Sequence, residues 1–513
     1  MSQFFGNTFR NSLLLMAGLY LLGFIGYYTD FSAIILLFVG IASAIFAYKK
    51  LDQALYLPFI ELFSNPHGAL VVVQLGGFTL SLRMVLFVGI MLGWGIGWLK
   101  KTYKPNLQDG RAQIFSLTMI GVFIGFILGI FSRNLGAVFS DGNAYLYLFY
   151  LLPILSVEWN TRHRHDFLQI LTAGALWVSF VSFVLLYLYT HFSETILKMV
   201  YVFFRDLRIA EITPVGIGVY RIFIQSQVFT IIFGLILLCL AIVQKKRKIF
   251  IALGAIVVSI VLLALSRSFW VGFFPAFLFL LIVLWKKHKP TIGSLFRFAS
   301  HSSLTVLLGV FLLVSIVFFP IPPQSLSSLS LVDSFKDRTT DSQDAGISSR
   351  WKLLTPMLNE IVSNPFLGHG FGKSVTFETD DPRVRAINPD GVWTTTSMEW
   401  GWFELWIKMG ILGPVGFLYL GYQLAKRLWV YTSTPQAWLG YGLIAGLIFI
   451  FGTHFFSPYL NHPIGLGYLL FLIPFLSVEK KVLDSVVLSN EGLFLTNQVP
   501  HTIVVTQAQS RVD

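Results

Sequence analysis

The side chains best suited to chemistry in this sequence are the arginines Arg221, Arg267 and Arg350 and the proton acceptors Glu399 and His369. A guanidinium is always charged and grips phosphate through paired N–H bonds. A carboxylate or imidazole takes a proton from a hydroxyl when held within hydrogen-bond reach. Arg267 sits in Ser266-Arg267-Ser268, a tight junction between two apolar stretches, and Arg221 opens another after Gly216-Ile217-Gly218-Val219-Tyr220. So short a tether puts each arginine at membrane-interface depth. Two readings stand for each: an anchor whose stem snorkels to water, or an anion site at headgroup level.

The elements that must position these groups are apolar spans. The chain is 55% hydrophobic and 12% charged, with 50 Phe, and its mean hydropathy is +0.72. Soluble domains carry roughly 25% charged residues. Asn11–Tyr28, Phe31–Tyr48, Gln113–Phe131, Ile222–Val243, Ile249–Ser266 and Ser303–Phe319 approach or exceed the length that crosses hydrocarbon. Further spans fall at Leu51–Leu80 (broken by Pro58, Asn65 and Pro66), Leu82–Leu99, Ala144–Val157, Phe167–Tyr189, Phe269–Trp285, Phe403–Ala425, Ala437–His454 and Ile464–Val478. Backbone amides cannot stay unpaired in lipid, so the fold expected is all-α, a polytopic transmembrane bundle of about 12–14 spans. The first span reads as an uncleaved helix, since no small-residue cleavage site follows it. Cys239 lies inside a span and reads as a packing residue.

Charge placement orients the bundle. Lys49-Lys50, Lys100-Lys101, Lys245-Lys246-Arg247-Lys248, Lys286-Lys287, Lys289, Lys426-Arg427 and Lys480-Lys481 fall in alternate loops. The short loops between them carry only Arg83, Arg133, Lys198, Arg205, Arg208, Arg221 and Arg267. This is the positive-inside pattern, so the +12 net charge is a topology signal and not a nucleic-acid face. It puts the amino terminus in the cytoplasm and the polar stretch Ile321–Glu399 outside it. The expected organisation is a bundle over 1–320, an extracytoplasmic loop over 321–400, further spans over 401–481 and a flexible cytoplasmic tail over 482–513.

Within the polar stretch, Pro320 to Ser349 is Ser- and Pro-rich and reads as loop. Leu353, Leu354, Met357, Leu358 and Ile361 then repeat with helical spacing, stopping before Asn364-Pro365. Phe366-Leu-Gly-His-Gly-Phe-Gly-Lys373 is a turn that serves either as a close backbone approach to a polar ligand or as a connector. Phe377 to Asp390 reads as acidic and irregular. Thr396-x-x-Glu399 has the capping-box pattern, so Glu399 either satisfies backbone donors at a helix start or acts as a base. Glu404 and Lys408, four apart, read as a pair. Trp393, Trp400, Trp402 and Trp406 suit an interface belt or stacking on sugar rings.

In order and sidedness, from Arg221 to Gly413, these pieces resemble the O-antigen ligase and polymerase superfamily. The resemblance rests on Arg221, Ser266-Arg267-Ser268, the large late loop, Arg350-Trp351, Asn364-Pro-Phe-Leu-Gly-His-Gly and Gly410-Ile-Leu-Gly413. It implies a glycosyltransferase of the cytoplasmic (inner) membrane that takes glycan from an undecaprenyl-diphosphate-linked donor. The acceptor would be a glycan or a lipid-linked chain, with membrane lipids around the protein, no nucleic acid, no metal and no cofactor. The family's outer-face arginines bind the lipid diphosphate, which carries over to Arg221 and Arg267, with Arg350 in support. Ligases of the family share a His at fixed spacing before Gly-x-x-Gly. Counting back from Gly410 puts Glu399 at that His, a departure that leaves His369 as the fallback base. A polysaccharide flippase and a non-catalytic assembly protein with a degenerate site are the rival readings.

Overall fold

The computed structural model describes residues 3–476 except 77, 108–109, 193, 217–218, 245–246, 289–290 and 321–344. Most of the Ser- and Pro-rich stretch, the tail over 482–513, and Lys245, Lys246, Lys289, Lys480 and Lys481 lie outside the described residues.

Among these the fold is all-α apart from hairpins. Helices α1 (Asn7–Tyr28) and α2 (Ser32–Lys49) precede the short α3 (Tyr56–Ser64) and the hairpin β1 (Val72–Leu75)–β2 (Phe78–Ser81), which leads into α4 (Leu82–Leu99). Then follow α5 (Ser116–Ser132), α6 (Leu135–Gly142), the long α7 (Thr161–His191) and α8 (Glu194–Asp206). A second hairpin, β3 (Glu211–Gly216)–β4 (Val219–Phe223), precedes α9 (Gln227–Val243), α10 (Arg247–Ala264), α11 (Arg267–His288) and α12 (Ile292–Phe318). The late segment holds α13 (Ala345–Ser363), the hairpin β5 (Val375–Glu378)–β6 (Val392–Thr395) and α14 (Gly401–Met409). Helices α15 (Leu412–Leu428), α16 (Ala437–Thr453) and α17 (Pro463–Phe471) close the bundle.

Six of these helices are long and apolar enough to cross a membrane, and five more apolar segments are shorter. The chain is a multi-pass membrane protein. Its apolar side chains point both ways: Leu37, Phe38 and Phe123 are well over half exposed, as lipid contact requires, while α7 is two-thirds buried at the centre. Helix association in lipid relies on close packing more than on exclusion of water. Accordingly α2 and α4 meet at Gly89, where a Cβ would stand 2.1 Å from the Ser43 hydroxyl oxygen.

The two ends of the bundle differ. At one end Tyr103 donates to the Tyr48 carbonyl (2.9 Å) and Arg427 to the Gly110 carbonyl (2.7 Å), gathering the lysine-rich loops. The other end carries the hairpins, the Arg267 corner and the late segment.

Several expected elements take another form. Leu51–Leu80 is not one span: the chain breaks at Asn65-Pro66, turns at Gly68 (φ +73°) and enters β1–β2. Ala144–Val157 is a 3-10 run, Asn143–Tyr150, followed by a short helix. Arg221 does not open a span. It lies in β4 opposite Thr213, and α9 begins only at Gln227. Phe403–Ala425 is split at Gly410, whose φ of +61° a side chain would resist. Helix α13 begins at Ala345, earlier than expected, and ends at Ser363 before Asn364-Pro365 as the spacing requires. Phe377 to Asp390, irregular by its sequence, begins in β5 and includes the helical turn Pro382–Arg385.

Candidate functional site

The hairpin-bearing end encloses a cavity of about 780 Å³. Arg221, Arg267, Arg350 and Glu399 all line it, although they come from β4, α11, α13 and the loop after β6. The structure therefore brings together four of the five residues singled out from sequence.

One wall belongs to the bundle. Arg221 donates Nε–H to the Ala264 carbonyl (2.8 Å), lies over the Phe223 ring (4.8 Å) and reaches Glu211 at 3.4 Å. Those contacts engage the guanidinium itself and hold it in the cavity wall. Arg267 is the first residue of α11. Just before it, Leu265 adopts φ +44°, a left-handed conformation that costs a residue with a Cβ of order 1–3 kcal/mol. The chain therefore turns the corner between α10 and α11 under strain, with Ser266 and Ser268 sharing a 3.1 Å hydroxyl contact on either side of the arginine. Arg208, at φ +51°, is a second strained residue lining the cavity; it is exposed and makes no ion pair among the described residues.

Arg83 also lines the cavity but is committed elsewhere. It pairs with both oxygens of buried Glu61 and donates to the Pro66 and Asn65 carbonyls. Four of its five N–H donors hold the break after α3. The rings of His67 and His462, 5.3 Å apart, sit nearby. Burial, reinforced by the charges of Arg83 and Arg208, lowers His67 to about 4, and burial holds His462 well below its ordinary value. Both imidazoles are neutral near pH 7. His462 uses Nδ1 to accept from the Ile464 amide (3.3 Å), capping α17.

The other wall belongs to the late segment. Arg350 Nε donates to Glu399 Oε2, and the Arg350 carbonyl accepts from Trp400 Nε1 at 2.8 Å. The Glu399 side chain is half exposed. It does not cap α14: the residue before that helix is Trp400, and no side-chain cap forms. Behind this wall Leu353, Met357, Ile361, Val375, Met398, Trp400 and Ile407 make a small core. The tryptophans are mostly braces: Trp402 and Trp406 spend their indole N–H on the Phe451 and Pro365 carbonyls. Glu404 and Lys408 do pair, and buried Asp141 joins them.

His369 is not brought to the cavity. Its Nε2 faces the Glu360 carbonyl (2.9 Å), the Ser363 hydroxyl (3.1 Å) and the Glu360 carboxylate (3.3 Å). All three converge on one ring nitrogen. The surrounding glycine turn packs backbone to backbone. Gly370 (φ +78°) would put a Cβ 2.3 Å from the Gly129 amide nitrogen of α5, so this turn is an inter-element joint and not a ligand cradle.

Sequence reading missed the roles of Arg83, Arg208, His67, His462 and the Asp141 cluster. For the first two the signal was present, because both belong to the sparse basic residues on this face. Nothing in the sequence spacing marks Asp141 or the histidines.

Residues 252–418, which include Arg267, Arg350 and Glu399, match the family described as O-Antigen ligase. No curated protein and no solved structure matches the chain.

Proposed function

We propose a membrane glycosyltransferase that uses an undecaprenyl-diphosphate-linked glycan donor, a reading supported by the match of residues 252–418 to the family described as O-Antigen ligase. The cavity faces the extracytoplasmic side of the cytoplasmic membrane, as the positive-inside pattern of the opposite loops supports. Arg221 and Arg267 hold the donor diphosphate and stabilise the charge that develops on it as the glycosidic bond breaks. An acceptor hydroxyl lies beside the anomeric carbon, and Glu399 takes its proton. The acceptor oxygen forms the new bond to the anomeric carbon from the face opposite the leaving group. The diphosphate departs with the bonding electron pair, so configuration inverts. Diphosphate is a good leaving group and requires no strong general acid, metal or nucleotide sugar.

Arg350 braces Glu399 through Oε2 and leaves Oε1 to meet the hydroxyl. The same parts serve a ligase, which moves a finished glycan, and a polymerase, which extends a lipid-linked one. Glu399 at the family's His position favours the polymerase slightly. The observation carrying the proposal is the convergence of Arg221, Arg267 and Glu399 on one cavity from separate elements.

The test is Arg267→Ala in cells that depend on this protein for surface glycan. Transfer should fall about 10²–10³-fold, the scale for removing one preorganised charge-stabilising donor. Normal glycan from an inserted, folded variant would sink the proposal.

A further inference from the structure

We infer that Lys408 is the positioning residue of the acceptor-side wall, holding the segment that carries Glu399; this rests on the transfer reaction proposed above. An exposed Glu–Lys pair four residues apart would brace only its own helix. Lys408 does more. Its ammonium, 2% exposed, contacts Glu404 Oε1, Asp141 Oδ1 of α6 and the Thr396 carbonyl (2.9 Å). Three N–H donors thus meet three acceptors, which satisfies a buried ammonium completely.

Each acceptor ties a different part of the wall. Thr396 is the first residue after β6, so its carbonyl anchors the start of the loop leading to Glu399. The end of that loop is anchored by the Trp400 indole on the Arg350 carbonyl. Asp141 uses its second oxygen to accept the Gly372 amide (2.7 Å), which fixes the glycine turn to the same ammonium. Lys408 also stands in the last turn of α14, where the helix dipole favours a cation. One buried charge therefore joins α6, the glycine turn, α14 and the Glu399 loop. Removing it would free Thr396 and let Glu399 move relative to the bound sugar.

The test uses the full chain in lipid nanodiscs and the double variant Lys408→Met/Glu404→Gln. Wild type holds one cation and two anions in this cluster and the variant one anion, so the net charge is unchanged. Single-turnover transfer should drop about a hundredfold, the scale for an ångström-level misplacement, while the KM for donor stays unchanged. Amide exchange should rise at 396–399 and not in α14. Transfer at the wild-type rate, or unchanged exchange at 396–399, would overturn the inference. If the double variant does not insert, the unmodified chain decides the matter: amides of 396–399 exchanging at free-loop rates contradict the clamp, and slow exchange supports it. Arg267→Ala run alongside separates the two claims. Normal transfer there sinks the transfer reading itself, whereas normal transfer in the Lys408 variant alone sinks only this inference.

Discussion

The two walls of the cavity are both built around arginine, but they are built for different work. On the bundle wall, Arg221 has its guanidinium held by a backbone carbonyl and an aromatic ring, and Arg267 stands on a strained helix corner. On the late-segment wall, Arg350 and Glu399 face each other in a half-open ion pair exposed to water. A fixed charge suits recognition of an anion that must always be held in one place. A screened, exposed pair contributes little to stability and can rearrange when a substrate arrives. Buried Arg83 shows the third use of the same residue, since four of its five N–H donors go to Glu61 and two backbone carbonyls.

Substitutions can break this contrast, and the largest effect belongs to the proton acceptor. Glu399→Gln should lower transfer about 10²–10⁴-fold, the range for general-base loss, with donor affinity unchanged in a binding assay. Donor affinity falling with it would merge the two walls into one site. Next comes the buried brace: Arg83→Ala strands Glu61 without its charge partner and should destabilise by about 3–5 kcal/mol, read as a lowered Tm.

His67 gives a smaller, pH-dependent effect. Its folded value of about 4 lies below the ordinary 6.5, so the fold favours the neutral ring. The stability it contributes is complete above pH 6.5 and is lost as pH falls from 6.5 toward 4. A Tm series over that window should fall more steeply for wild type than for His67→Gln; parallel curves would contradict the assignment. Smallest is Arg350→Ala. As an exposed pair it should cost no more than about 1 kcal/mol in Tm measurements, and a loss as large as that of Arg83→Ala would show the pair to be structural.

How much of this was legible in the sequence depends on the kind of contact. Hydrocarbon-length apolar runs revealed the membrane fold, because spanning length is a local requirement of lipid, while alternating charge supplied the expected sidedness. Arg221 and Arg267 stood out as exceptions to that alternation. The breaks were harder to read. A β-hairpin around Arg221 and the division at Gly410 depend on what packs beside them, and an apolar run does not distinguish a strand end from a helix start. His369 was a candidate by residue type alone. Its neighbours Glu360 and Ser363 lie on the preceding helix, and only the fold of the glycine turn directs the ring toward them. The cluster at Lys408 depends on Asp141, far away in sequence, for which no spacing rule exists.

The most direct test compares the walls by one quantity, the affinity for an undecaprenyl-diphosphate-linked glycan measured on purified Arg267→Ala and Arg350→Ala proteins. Arg267→Ala is expected to weaken binding about ten- to hundredfold, one charge-assisted hydrogen bond being worth about 1.5–3 kcal/mol, while Arg350→Ala leaves it unchanged. Equal losses at both positions, or no loss at Arg267, would contradict it.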